Sequence, residues 1–250
     1  MSQYVFGTGQ LFATPIGGGA ALRFGALQDV SVDFAGDIKM LYGQYQFPLD
    51  SARGKTKVEW KAQSANIDVT AFNTLFFGQT ETTGDELVQV LNEPASIPAT
   101  GPYTISVAHA ANFYQDLGVS FSSDGSQLKQ VASGPTTGQY SVAAGVYTFA
   151  AADTGKGVLI NYMYESASTG GSLEIGNQLM GSTPRFKLIL SQTYGGKTFT
   201  LILYSNVTDK LNLPLKMEDY LMAEMSGSAF ADANNRVARI TTTSINGGGL

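Results

Sequence analysis

"LQDVSVDFAGDI", residues 27 to 38, alternates between two kinds of side chain. Val30, Val32, Phe34 and Ile38 take one face, while Asp29, Ser31, Asp33, Ala35 and Asp37 take the other. A period of two over this length predicts a half-buried β-strand. The pattern returns at residues 55 to 63, where Thr56, Val58, Trp60 and Ala62 oppose Lys55, Lys57, Glu59, Lys61 and Gln63. Two such strands in succession read as a hairpin. Between them lies "LYGQYQFPLDSARG", residues 41 to 54, which mixes glycines, a proline, charges and three aromatics and reads as a long loop.

Strand patterns continue along the rest of the chain, punctuated by Gly, Asn, Asp and Pro. The exception is "DVTAFNTLFFG", where Val69, Phe72, Leu75 and Phe76 fall at helical spacing and Gly78 supplies a stop. After Glu93-Pro94 the texture changes to short strands with Gly and Ser turns and little charge, ending in the alternating Val158, Ile160, Tyr162 and Tyr164. Residues 94–167 therefore read as a small β-sandwich inserted into a discontinuous core domain, 1–93 and 168–250. Downstream, "PRFKLILSQTYGGKTFTLILYSNV" predicts a hairpin turning at Gly195-Gly196. "YLMAEMSGSAFADANNRVARITTT" predicts another, turning at residues 233–236. The expected class is all-β with minor α.

Composition narrows the function. The 250 residues are 43% hydrophobic and only 14% charged, with abundant Gly, so the surface is carried by Ser, Thr, Asn and Gln. Such a surface suits a protein packed against copies of itself. A net charge of −5 is opposed to duplex binding, which needs a basic face. The absence of Cys excludes disulfides and thiolate metal sites, and a single histidine, His109, leaves zinc to carboxylates. Residues 1–6 lack the pattern of a signal peptide, and no apolar run approaches a membrane span, so a soluble, unexported protein is expected.

The motifs that imitate chemistry fail on spacing. A phosphate loop ending in Gly54-Lys55-Thr56 needs a glycine at position 49, which is Leu49; the copy at Gly196-Lys197-Thr198 meets Ser191. Asp29, Asp33 and Asp37 step by four along a strand, about 13 Å apart, beyond the ~9.5 Å reach of paired glycosidase carboxylates. Tyr42, Tyr45 and Phe47 lack the basic groove of a single-strand stacking platform. No catalytic residue, cofactor or metal site is expected.

The order of these segments resembles the tail tube proteins of tailed bacteriophages. The resemblance rests on "GALQDVSVDFAGDIKMLYG", "QFPLDSARGKTKVEWKAQ" and "FNTLFFG", and on the late "FKLILSQTYGGKTFTLILYSNV" followed by "LPLKMEDYLMAEMSGSAFAD". It covers residues 1 to 93 and 183 to 250, while the middle looks like the immunoglobulin-like insertions of phage structural proteins. What it implies is a tail-tube-type β-sandwich/barrel that forms hexameric rings, stacked into a conduit for DNA ejection. Asp29, Ser31, Asp33, Asp37, Lys57, Glu59 and Lys61 would then line the lumen, with Lys57 and Lys61 pairing across the sheet with Asp33 or Asp37. Residues 41 to 54 would be the assembly loop, gripping through Tyr42, Tyr45, Phe47, Pro48, Asp50 and Arg53. The implied partners are further copies of the chain, tape measure, tail terminator and tail-tip or baseplate proteins, a sheath in contractile tails, and DNA that passes without specific binding. The implied location is the virion, after assembly in the host cytoplasm. A decoration or tail-tip protein whose inserted sandwich binds the host surface is the alternative.

Overall fold

A computed structural model of the chain describes residues 4–66, 68–215, 217 and 219–243. In chain order the strands are β1 (Gln10–Pro15), β2 (Leu22–Arg23), β3 (Leu27–Tyr42), β4 (Pro48–Ser64), β5 (Glu81–Thr83), β6 (Glu86–Ser96), β7 (Thr104–Ser106), β8 (Phe113–Phe121) and β9 (Lys129–Gln130). They continue as β10 (Gln139–Ala143), β11 (Val146–Phe149), β12 (Gly157–Ser166), β13 (Gly171–Leu173), β14 (Phe186–Tyr194), β15 (Lys197–Asn212), β16 (Ala223–Phe230) and β17 (Ala238–Thr242). The protein is all-β, with one short α-helix among the described residues, α1 (Val69–Phe72), which widens into a π turn at Asn73–Phe77. It divides into two compact units: one runs to Thr80 and resumes at Leu173, and the other is Glu81–Ser172.

The first unit is built on one sheet in the order β2-β1-β14-β15-β16-β4-β3, with β17 also paired to β15. Among the described residues this sheet does not close into a barrel, and β2 and β3 are its ends. Its inner face carries Leu11, Trp60, Phe186, Leu188, Leu203 and Met225, all at most 2% exposed. Phe72 and Leu75 of the helical segment cover them, as the helical spacing predicts. Asp68 caps α1 by accepting the Ala71 N–H at 3.1 Å, and Gly78 ends the segment with φ +63°.

Trp60 on β4 meets Phe186 on β14 edge to face, with ring centroids 5.8 Å apart. Three strand spacings, about 14 Å on a flat sheet, separate those strands. The contact therefore needs curl and a clear path for the indole. Gly227 provides the path: it is the cross-strand partner of Trp60, and a Cβ there would lie 2.8 Å from the indole Cζ2 and Nε1.

The β14–β15 hairpin turns at Gly195 (φ +57°) and Gly196 (φ +74°), as its sequence predicts. The second expected hairpin does not form. β16 and β17 do not pair with each other; both run antiparallel to β15, against Ser205–Asn212 and Phe199–Leu203 respectively. They are two stretches of one direction of travel, interrupted by residues 231–237. Asp232 closes that excursion by accepting the Asn234 and Arg236 N–H groups and holding the Arg236 side chain at 2.8 Å. The Tyr204 N–H then bonds to Val237 O at 3.0 Å, returning the chain to the same edge.

The second unit packs the sheet β6-β12-β8 and the sheet β7-β11-β10-β9 around Val119, Tyr147, Phe149, Val158, Ile160 and Tyr162. The expected insertion limits of 94 and 167 both fall inside it. Pro94 looks like a boundary but lies in β6, opposite Leu159 of β12. β6 is an edge strand, where a missing N–H breaks no ladder on its open side. β5 and β13 pair with each other, so the ingoing and outgoing chain lie side by side.

Hydroxyl–carboxylate bonds stitch this core. Asp116 accepts from Tyr140 at 2.5 Å and from Tyr147 at 2.7 Å, and Glu93 accepts from Tyr162 at 2.6 Å. Burial, reinforced by these carboxylates, raises all three phenols above the usual value, Tyr162 to about 12. A raised acid pKa stabilises the fold below the unfolded value of about 10. That contribution is lost as pH climbs through the folded values. The melting temperature of the second unit should therefore fall steeply between pH 10 and 12. Calorimetry across that range checks this, and Tyr140→Phe/Tyr147→Phe should flatten the fall.

Candidate assembly surface

β4 pairs with β16 only from Val58 to Ser64. Below Val58 its sole neighbour among the described residues is β3, and the two continue together to Tyr42 and Pro48. The result is an arm: a two-stranded ribbon in which every residue from 36 to 57 is exposed. The expected loop of residues 41 to 54 is in fact only Gly43–Phe47. Tyr42 lies on β3, and Pro48, Asp50 and Arg53 lie on β4. Pro48 opens its strand, a position where the missing N–H is tolerated. Gly54 and Lys55 together face Asp37 in a bulge, because Gly36 pairs with Thr56 and Ile38 with Arg53.

Register assigns the two faces of the ribbon. The core-side face runs Val30/Ala62, Val32/Trp60 and Phe34/Val58, then continues past the core as Gly36/Thr56, Ile38/Arg53 and Met40/Ser51. Its apolar side chains pass from buried to open: Phe34 is 48% exposed, Ile38 65% and Met40 51%. At the tip Tyr45 and Phe47 are 71% and 81% exposed. Eight large apolar side chains are exposed between residues 34 and 49, in a segment with two open strand edges. A lone two-stranded ribbon is marginal in water, and open edges with apolar faces are sites of association.

The opposite face gathers the expected lumen set. Asp29, Ser31, Asp33 and Ala35 pair with Gln63, Lys61, Glu59 and Lys57, and the extra bulge residue lies on β4, so Asp37 keeps the same face. Lys57 bonds to Glu59 along its own strand at 2.8 Å rather than across to Asp33 or Asp37. That bond raises the Lys57 pKa, with smaller contributions from the charges of Asp33 and Asp37. Lys39 and Lys55 lie on the same face farther along the arm, so the carboxylates of Asp29, Asp33, Asp37 and Glu59 are interleaved with lysines.

Both Gly-Lys-Thr segments lie in antiparallel β-structure, one at the bulge and one at the β14–β15 turn. His109 stacks flat on Tyr164 at 3.9 Å. A second exposed apolar segment carries Leu215, Met217 and Tyr220, each at least 84% exposed. Its only signal is a cluster of Leu, Met and Tyr without alternation. No protein-family model matches the chain, and no curated protein matches its sequence.

Proposed function

We propose that the protein is a non-enzymatic structural subunit that polymerises through the β3–β4 arm, as the tail tube subunit of a bacteriophage. The observation that carries this reading is the arm itself. A folded unit that projects eight large apolar side chains on an uncovered two-stranded ribbon has a surface suited to a protein partner. The order of segments that resembles tail tube proteins supplies the identity of that partner, further copies of the same chain. In this reading hexameric rings stack into a conduit in the virion, ended by terminator and tip proteins and filled during assembly by the tape measure. Asp29, Asp33, Asp37 and Glu59 offset the lysines of this face of β3 and β4, which leaves no basic excess to hold phosphate, so DNA slides past without binding.

Light scattering after size exclusion, with negative-stain microscopy, tests the reading: rings or hollow cylinders are expected at high concentration. A protein that stays monomeric at every concentration, with tip proteins added as well, sinks it. Phe47→Ala should reduce assembly at least tenfold, the effect of losing about 2 kcal/mol at an aromatic anchor. Its monomer should melt within a few degrees of wild type, because Phe47 lies outside the core.

A further inference from the structure

Three buried polar atoms in the core of the first unit have no hydrogen-bond partner among the described residues: Trp60 Nε1, Asn206 Oδ1 and Thr208 Oγ1. Their residues are at most 7% exposed, so bulk solvent does not reach these atoms. A buried polar atom left unpaired forfeits its hydration without return, which native folds rarely tolerate. Register brings the three together. Thr208, Gly227 and Trp60 are consecutive partners across β15, β16 and β4. The neighbouring rung of the same face is Phe186, Asn206, Ala229 and Val58, from β14 to β4. The indole starts on β4 and reaches the Phe186 ring on β14. On that path it crosses Gly227, where a Cβ would lie 2.8 Å from Nε1. The indole N–H therefore lies over β16, beside the strand that carries Asn206 and Thr208.

The chemistry of the three atoms is complementary. An indole nitrogen only donates, an amide oxygen only accepts, and a hydroxyl does either. The two ends of the Asn206 amide are fixed, because Nδ2 donates to Phe186 O at 3.1 Å and to Leu203 O at 3.0 Å. An oxygen in that place would meet two carbonyl oxygens, so it is the acceptor end that stands unpaired. Yet none of the three atoms bonds directly to another.

We propose that one ordered water occupies this polar corner of the core. It accepts the Trp60 N–H and donates to Asn206 Oδ1 and Thr208 Oγ1, and about three bonds are the usual complement of a buried water. Gly227 and Ala229, the residues of β16 on these two rungs, have no polar side chain. The water thus links β4 to β15 across a strand that offers no link of its own. Val58 is the last residue of β4 paired with β16, so this link stands at the root of the arm. The site belongs to the folded chain and is independent of assembly.

Thr208→Val tests the site by the sign of its effect. Valine has the shape of threonine without the hydroxyl. With the water in place, the substitution strands one of its bonds, and the first unit should melt about 2 to 4 °C lower. In a dry site the substitution removes an unpaired hydroxyl from the core, and the unit should melt higher. Trp60, the single tryptophan, reports the transition of its own unit by fluorescence. An unchanged or raised midpoint overturns the proposal. A crystal structure of the wild-type chain, at a resolution that shows ordered water, decides without any variant. Density within about 2.7–3.2 Å of all three atoms is expected. A dry site, or a direct bond from Trp60 Nε1 to Asn206 or Thr208, overturns the proposal.

Discussion

Gly227→Val should prevent the first unit from folding, although it adds only three carbon atoms and lies outside the arm. The first of those atoms, the Cβ, would press on the Val207 carbonyl oxygen and lie 2.8 Å from the Trp60 indole. The carbonyl belongs to the sheet backbone and has little freedom to move. The indole is 1% exposed and is packed against Phe186. Displacing it forfeits packing comparable to deletion of a core aromatic, about 3 to 5 kcal/mol. Total stabilities lie near 5 to 15 kcal/mol, so the loss takes much or all of the margin. Trp60 is the single tryptophan, so its fluorescence reports directly. The variant should show red-shifted emission in buffer, and Gly227→Ala should show a weaker form of the same defect. Native-like emission and melting in both would mean that the sheet relaxes around a side chain.

Excising the arm should have the opposite profile, an intact fold with no assembly. Residues 37–55 can be replaced by Asn-Gly, joining the paired Gly36 and Thr56 through a two-residue turn. No residue in the excised stretch is buried, so the melting temperature should stay within a few degrees of wild type. Covering the arm's apolar side chains is worth of order 10 kcal/mol at ~1.5 kcal/mol each, before the ordering cost of association is subtracted. Losing that gain should abolish polymers at any accessible concentration in light scattering. A trimmed protein that still assembles would move the contact elsewhere, and one that fails to fold would make the arm part of the core.

Alternation made β3 legible because half of its length is covered on one side and wet on the other. The same logic explains why residues 41 to 54 read as loop. A strand exposed on both faces places no demand on which side chains are apolar, so "FPLDSARGK" carries no period. The Gly195-Gly196 turn was legible because its requirement is local: two residues with positive φ. The insertion boundary was not, since β6 is defined by pairing with β12, more than sixty residues later. β16 and β17 read as partners because they are neighbours in sequence. Their shared partner β15 precedes both, and the turn between them restores direction instead of reversing it. Lys187 on β14, Arg239 on β17 and Arg236 in the turn before it line one groove on the outer face of the first sheet, and nothing in their spacing announces that they converge.

The pairing of β5 with β13 makes the second unit exchangeable. Two hydrogen-bonded strands lie about 4.8 Å apart, so the first unit needs from its insertion only a module whose two ends meet. Sandwiches, small barrels or helical hairpins satisfy that condition equally well. Lineages can thus trade the module without altering the sheet that receives it. An engineer can use the same socket to graft a foreign domain or epitope, carried once per chain.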